Sequence, residues 1–402
     1  MLNTPFSPWP TFSDEEIEAA SRVLRSGRVN YWTGGEAKAF EEEFAAWCGA
    51  RHAIALGNGT LALELALRAL KIGPGDEVVV PARTFIATAS AAIQCGAVPV
   101  CADIDRDSQN VTAETIAAVA TPRTKAVVCV HLAGWPCDMD PILALCEERG
   151  LALIEDCAQA HGARYKGRSV GTIGHIGCWS FCQDKIITTG GEGGMVTTNR
   201  RDWFEAMWAF KDHGKSWRAV NAREHPPGFR WLHESFGSNY RMTEMQAAIG
   251  RAQLRRMPEW SKARRRNADR IWRAAAQIQA LRAPTPPNGF EHAAYKAYVF
   301  GRPGALAEGW TRDRIVAAIE AEGAPCYTGS CSEIYLEKAF TEAGLGPKQR
   351  LPAAKALGEE SLMFLVHPTL RDDEIDKTCA ALQSVMARAA SSRKGMRTGT
   401  EG

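Results

Sequence analysis

The sequence has no apolar run near the roughly 18–20 residues needed to cross a bilayer, so no membrane span is expected. It also has almost no charge bias, since 48 Lys and Arg against 46 Asp and Glu leave a formal charge of +2. Chains that bind nucleic acid usually carry a marked basic excess, and nucleic acid is therefore not the expected partner. There is no Cys-x-x-Cys pair; the nearest spacings are Cys178 to Cys182 and Cys326 to Cys331. That argues against both a zinc site and a disulfide framework, leaving scattered structural thiols. The opening MLNTPFSPWP has neither the basic segment nor the apolar core of a secretory leader. These absences point to a reduced, cytoplasmic protein without a metal. Internal repeats and low-complexity stretches are missing too, and 402 residues with 45% apolar content suggest two or three globular domains.

What is present is alternation. Ser13 and Glu16 form the signature of a capping box, with Ile17, Ala20 and Leu24 on one helical face and Gly27 as its stop. Glu36 to Cys48 repeats the pattern with Phe40, Phe44 and Trp47 before Gly49. Strands are then expected at His52–Leu56, Glu77–Val80, Val98–Ala102, Ala126–Val130, Leu151–Ile154, Cys178–Phe181 and Met195–Thr197. Helices are expected between them at Leu61–Leu70, Ala87–Gln94 and Met139–Arg149. Short apolar strands separated by helices indicate an α/β protein with a mostly parallel sheet covered on both faces.

Composition shifts after Thr243–Leu254, a further expected helix. Arg251, Arg255, Arg256, Lys262, Arg264, Arg265, Arg266, Arg270 and Arg273 crowd one stretch. They read either as a phosphate-binding surface or as the solvated face of a long helix. Pro284–Gly289 is expected to break that helix, a smaller α+β region to follow, and the polar end from Ser391 to fray.

Five segments could carry chemistry. Gly57-Asn58-Gly59-Thr60 joins a strand to a helix, where backbone N–H groups and the helix dipole favour an anion, although such turns also serve packing. The turn lacks the GxGxxG pattern, and no P-loop occurs in the chain. Phe85, after Pro81, is either an aromatic at the sheet edge or a core residue. Asp156 follows an apolar strand, where α/β sheets bind ligands, and could instead be a helix N-cap. Lys185 lies between a strand and the glycine-dense loop Gly190–Gly194. It is either a Schiff-base lysine or a solvated one. Gly237–Met242 is either part of a site or a plain loop and cap.

In this order and spacing the segments resemble the DegT/DnrJ/EryC1/StrS family of sugar aminotransferases. The resemblance rests on NGT (Asn58–Thr60), GDEV (Gly75–Val78), TFIATA (Thr84–Ala89), HLAG (His131–Gly134), EDCAQAHGA (Glu155–Ala163), SFCQDK (Ser180–Lys185), GEGGM (Gly191–Met195) and NYRM (Asn239–Met242). It implies the aspartate-aminotransferase fold and pyridoxal 5'-phosphate as cofactor. It also implies a large cofactor-binding domain with the N-terminal helices over 1–256 and a small C-terminal domain over 257–390, while the small polar residues over 391–402 are expected to form a disordered tail.

By that resemblance Lys185 would hold the cofactor as an internal aldimine and later shuttle a proton. Asp156 would face the pyridine nitrogen, Gln159 the ring hydroxyl and Phe85 the ring face. Gly59, Thr60 and Ser180 would hold the phosphate, and Asn239 would reach it from a partner subunit in a homodimer with shared sites. His161, Lys211, His213 and Arg241 would lie near the substrate. The implied reaction moves an amino group from glutamate to a nucleotide-linked keto-sugar, at carbon 4 rather than carbon 3. Two departures bear on the substrate: the glycine doublet Gly190-Gly191 before Glu192, and Cys326–Cys331 where many relatives carry a His-x-x-Pro-Tyr type segment. An aminohydroxybenzoate-type synthase, a sugar dehydratase and a non-catalytic ligand-binding regulator are the alternatives. The dehydratases that resemble this family replace the lysine by histidine, and a regulator would predict loss of Lys185 or Asp156.

Overall fold

The computed structural model describes residues 5–221 and 230–390; the expected tail at 391–402 lies outside them. Two helices come first, α1 (Asp14–Ser26) and α2 (Glu36–Cys48). The strands β1 (His52–Leu56), β2 (Glu77–Pro81), β3 (Val98–Ala102), β4 (Thr124–Val130) and β5 (Ala152–Asp156) then alternate with α3 (Gly59–Ala69), α4 (Ala87–Gln94), α5 (Ala113–Ala117) and α6 (Met139–Arg149). A two-residue hairpin, β6 (Arg164–Tyr165) and β7 (Arg168–Ser169), leads to β8 (Ile176–Ser180) and β9 (Gly194–Thr198).

Seven of these strands form one sheet in the order β1-β9-β8-β5-β4-β2-β3. Its four neighbour pairs from β3 to β8 are parallel, and β9 runs antiparallel to both β8 and β1. The parallel strands bury nearly every side chain, Val78, Val79, Val80, Val127, Val128, Leu153 and Ile154 among them. This is the continuous apolar strand pattern expected of a sheet covered on both faces. All parallel strands therefore end at one edge, and that edge carries Arg83–Phe85 after β2, His131 after β4, Asp156 at the tip of β5 and Ser180 at the tip of β8.

The helices α7 (Arg201–Lys211) and α8 (Trp217–Asn221) follow, then α9 (Glu244–Ala276). Thr243 caps α9 with its hydroxyl on the Gln246 N–H, and the 33-residue helix runs on through Pro258. The boundary expected at residue 256 thus falls inside a continuous helix. Beyond it, β10 (Leu281–Arg282), β11 (Phe290–Glu291), β12 (Ala297–Gly301) and β13 (Ser361–Phe364) complete the strands; β11 joins the small β6–β7 sheet. The antiparallel sheet β10-β12-β13 packs on α10 (Arg312–Ala321) and α13 (Asp372–Ala389) through Val299, Ile315, Ile319, Phe364, Leu382 and Val385. The short helices α11 (Lys338–Ala343) and α12 (Pro352–Glu360) connect them.

Three expectations need correcting. In α1 the capping box forms as expected, but the buried residues are Glu16, Ala19 and Val23, while Ile17 and Leu24 are 56% and 58% exposed. Small residues win that face because α1 lies against Ala248 of α9, where a long side chain would hold the two helices apart. Helix α9 ends at Gln277, well before Pro284, because the chain turns there so that Leu281 can pair with Gly301. The arginines of α9 are neither a phosphate surface nor simply solvated. Arg251 pairs with Glu36 and Glu43, Arg255 with Glu15, Arg256 with Glu16, Arg265 with Glu291 and Arg270 with Asp372 and Asp376. Arg264 is buried outright at 1% exposure.

Candidate active site

Strand β5 alternates the directions of its last two side chains. Glu155 turns into the fold, where it accepts the N–H groups of Gly171 (2.7 Å), Ile173 (2.8 Å) and Gly174 (2.6 Å). His131 completes the set: its Nδ1 accepts the Cys137 N–H at 2.9 Å, so its Nε2–H points to Glu155 at 3.1 Å. A carboxylate satisfied this fully anchors the end of the strand. Asp156 faces the other way and is the last residue of β5 rather than a residue beyond it. Its Oδ1 accepts the Ala158 N–H at 3.1 Å in a turn, and its Oδ2 accepts the Thr88 hydroxyl at 3.0 Å. Helix N-capping is thereby set aside. Burial raises the Asp156 pKa, against the pull of those two donors and of the nearby Lys185 charge.

Around Asp156 the edge assembles further groups. Gln159 is buried, and its Oε1 accepts the Ala133 N–H at 2.8 Å, which leaves the amide NH₂ as the end with hydrogens to offer. Phe85 is 69% exposed, not core, although its neighbours Thr84 and Thr88 are buried. Lys185 sits in a turn closed by its own N–H on the Cys182 carbonyl at 3.1 Å, and the Trp9 indole N–H holds the Lys185 carbonyl at 3.0 Å. Its side chain is 16% exposed, with Nζ 3.9 Å from Asp184 Oδ1.

The turn from β1 into α3 supplies an anion cradle. Asn58 caps the helix through the Leu61 N–H at 2.9 Å, and helix geometry leaves the N–H groups of Gly59 and Thr60 without intrahelical acceptors. Gly59 has to be glycine, since a Cβ there would stand 2.6 Å from the Ser180 Cβ. Ser180 is thus packed directly against the helix start, and Thr60 is exposed beside it.

The other expected residues fall into two groups, His161 within reach of the Lys185 charge and the rest around Asp212. His161 is buried between Trp179 and Phe181 at 5.3 and 5.6 Å, with neither ring nitrogen hydrogen-bonded. Burial, with the charges of Lys185 and Arg264, lowers its pKa to about 3. Lys211 and Arg241 belong to a second cluster. Asp212 accepts Lys215 at 2.9 Å, Arg241 at 2.7 Å and the Trp32 indole at 2.7 Å. Lys211 Nζ sits 3.6 Å over the Tyr31 ring and 3.8 Å from Glu41. Asn239 bridges Asp212 from an exposed position, and His213 is exposed in the left-handed region at φ 59°.

The sequence reading did not single out Thr88, Asp184, Tyr295 or Lys296. Thr88 could have been found one helical turn after Phe85, and Asp184 lies inside the quoted SFCQDK. Tyr295 and Lys296 arrive from the distant segment before β12 with no local signal.

Comparison with known proteins covers nearly the whole chain. The sequence profile of the DegT/DnrJ/EryC1/StrS aminotransferase family matches residues 10–383. A UDP-N-acetyl-3-dehydro-alpha-D-glucosamine 3-aminotransferase of Acidithiobacillus ferrooxidans is 35% identical over 386 residues, covering 96% of each chain. A GDP-perosamine synthase of Caulobacter vibrioides is 38% identical over 352 residues, 86% of this chain and 89% of its own. Among solved structures, an aminotransferase from Psychrobacter cryohalolentis superposes with a TM-score of 0.94 at 59% identity, covering 95% of this chain and 99% of its own.

Proposed function

Since the chain belongs to the DegT/DnrJ/EryC1/StrS aminotransferase family, and is thereby a pyridoxal-phosphate-dependent sugar aminotransferase, we propose that it moves the amino group of glutamate onto carbon 4 of a nucleotide-linked keto-sugar. The observation that carries this reading is the meeting of Asp156, Gln159, Lys185 and the Gly59–Ser180 cradle at one sheet edge.

The residues fit the cofactor. A side chain at position 59 would collide with Ser180, and with glycine there the N–H groups of Gly59 and Thr60 and the Ser180 hydroxyl can face a phosphate. Gln159 would offer its free amide hydrogen to the ring oxygen, and the exposed Phe85 ring would cover one face. When bound, the cofactor acts as an electron sink that makes the C–H bond beside nitrogen acidic, and carries nitrogen from donor to acceptor. Asp156 would keep a proton on the ring nitrogen, a charge-assisted bond worth about 1.5–3 kcal/mol. Lys185 would anchor the cofactor covalently and, once released, take the proton from one carbon and return it to another through Nζ.

A homodimer is part of the proposal. Ile17 and Leu24 form an exposed apolar stripe on α1, and Asn239 is exposed where it could serve a partner's phosphate site. A cytoplasmic location accords with the described residues, among which no helix is long and apolar enough to cross a membrane.

The test is an absorbance spectrum of the purified protein with pyridoxal phosphate, before and after L-glutamate. A lysine-bound band that converts to the aminated form, and is missing in Lys185→Ala, is the expected result. No band would overturn the cofactor lysine; a band indifferent to glutamate would overturn the donor. Because one relative is named for amination at carbon 3, the acceptor screen uses 3-keto and 4-keto sugars side by side. Amination of the 3-keto series alone would overturn the carbon assignment.

A further inference from the structure

Lys185 has a carboxylate neighbour that the proposed mechanism leaves unused. Asp184 Oδ1 stands 3.9 Å from Lys185 Nζ, and its Oδ2 accepts the hydroxyl hydrogen of Tyr295. Adjacent side chains usually diverge, but the turn closed on the Cys182 carbonyl brings these two to one side. Tyr295 comes from the segment before β12. Its N–H donates to the Ala133 carbonyl at 3.0 Å, on the residue whose own N–H holds Gln159, and its ring lies 5.1 Å from Lys185 Nζ. With Trp9 holding the Lys185 carbonyl at 3.0 Å, the backbone and the carboxylate are both fixed, and the amine is the part left free to swing.

We infer that Asp184, oriented by Tyr295, is the positioning residue that receives the Lys185 amine whenever that amine carries the proton it will return. The inference rests on the reading of Lys185 as the cofactor lysine. A Lys185 amine that has taken up a proton is –NH₃⁺, and a partly buried ammonium needs a partner until that proton is passed on. Asp156 cannot serve, because it already accepts from Thr88 and Ala158 and is the group placed to face the ring nitrogen. Asp184 accepts a hydrogen bond from the ammonium without taking its proton, so Nζ keeps the hydrogen it will return.

The charged and titratable groups around this amine and its carboxylate come from five places: Asp156 on β5, His161 after it, Asp184 on the lysine loop, Arg264 on α9 (beside Asp184 and Tyr295), and Tyr295 with Lys296 before β12. Burial works to raise the Asp184 pKa, yet the Lys185 charge and the Tyr295 hydrogen bond hold it below the ordinary carboxylate value, so it is ionised at neutral pH. Burial, reinforced by the positive charge of Arg264 and Lys185, pushes the neighbouring Lys296 down to about 8. A second cation beside the amine makes the carboxylate more necessary.

The test uses the full-length protein without added cofactor, so that it reads the amine and not turnover. Labelling of Lys185 by acetic anhydride, followed by mass spectrometry over a pH series, reports the fraction of neutral amine. Asp184→Asn should raise the labelling rate at neutral pH about tenfold, because the ammonium loses the carboxylate that holds it. Tyr295→Phe, which leaves the carboxylate but frees it to turn, should raise it about threefold and provides the reading should Asp184→Asn not fold. A purely structural pair would lower thermal stability while the Lys185 labelling rate stayed put, and that result would overturn the inference. Borohydride reduction of the wild-type protein with pyridoxal phosphate separately identifies the lysine that carries the cofactor. A mark on another lysine overturns the cofactor assignment and with it the purpose given to Asp184. A mark on Lys185 with an unchanged labelling rate in the variants overturns the present inference alone.

Discussion

Lys185 and Lys211 invite comparison, because each is a lysine with a carboxylate just under 4 Å away, at 3.9 Å from Asp184 and 3.8 Å from Glu41. Their surroundings differ in kind. Lys211 is fully buried over the Tyr31 ring, and the adjacent Asp212 is closed by Lys215, Arg241 and Trp32. Asp212 is answered by three donors and ties α7 to the strip before α9, while Lys211 Nζ and Arg241 Nε stay buried without a hydrogen-bond partner. Lys185 lies instead on a turn beside an exposed ring, an open helix terminus and an amide with hydrogen to offer. The Lys211 cluster is shut inside the fold, whereas the Lys185 site opens on a sheet edge.

The contrast can be broken at several points, the largest effect first. Lys185→Ala should abolish amino transfer, by about 10⁴-fold or more, while its urea unfolding curve stays close to that of the wild type. In the second cluster the roles reverse. Asp212→Asn leaves Lys215 and Arg241 without their shared carboxylate and should cost about 3 kcal/mol in urea unfolding. The Asp212 pKa is held below the ordinary 3.8: burial raises it, but Lys215 and Arg241 more than offset that. The stabilisation is therefore complete above the unfolded value and is lost as pH falls through the lower folded one. Asp212→Asn should flatten that acid limb, and an unchanged limb would count against the cluster as a structural device.

His161 sits between the two cases. Its pKa falls from 6.5 to about 3 in the folded chain, so the unfolded chain binds the proton first as pH drops. Stability should then decline by about 1.4 kcal/mol per pH unit across that window. His161→Phe fits the Trp179–Phe181 pocket and should remove the slope, which unfolding at neutral and mildly acid pH would reveal. Phe85→Ala has the smallest expected effect: about tenfold weaker cofactor binding by titration, with no loss of stability, since the ring is 69% exposed.

Much of this was legible in the chain itself. The bounds of α2, α4, α6, β1 and β3 coincide with those read from periodicity and glycine stops, because local backbone preference and burial agree there. Asp156 and Lys185 could be singled out because strand ends in an alternating α/β sequence must gather at one edge, whereas Gln159 and Ser180 were named through the family resemblance alone. Other features could not be read this way. The inward face of α1 depended on Ala248, more than two hundred residues away, and the end of α9 depended on the pairing of Leu281 with Gly301. The fate of the α9 arginines depended on which carboxylates lay opposite.

The alternation of elements, the glycine at the head of α3, and the lysine and aspartate at strand ends follow from short-range rules. The sequence by itself therefore determined the sheet, the edge at which its parallel strands end, and the family. Tertiary structure decided that Tyr295 orients Asp184, that Arg264 is buried and that Lys211 is locked while Lys185 is free to swing. Side-chain direction and charge pairing depend on what the rest of the chain brings within a few ångströms, and local pattern carries no record of it.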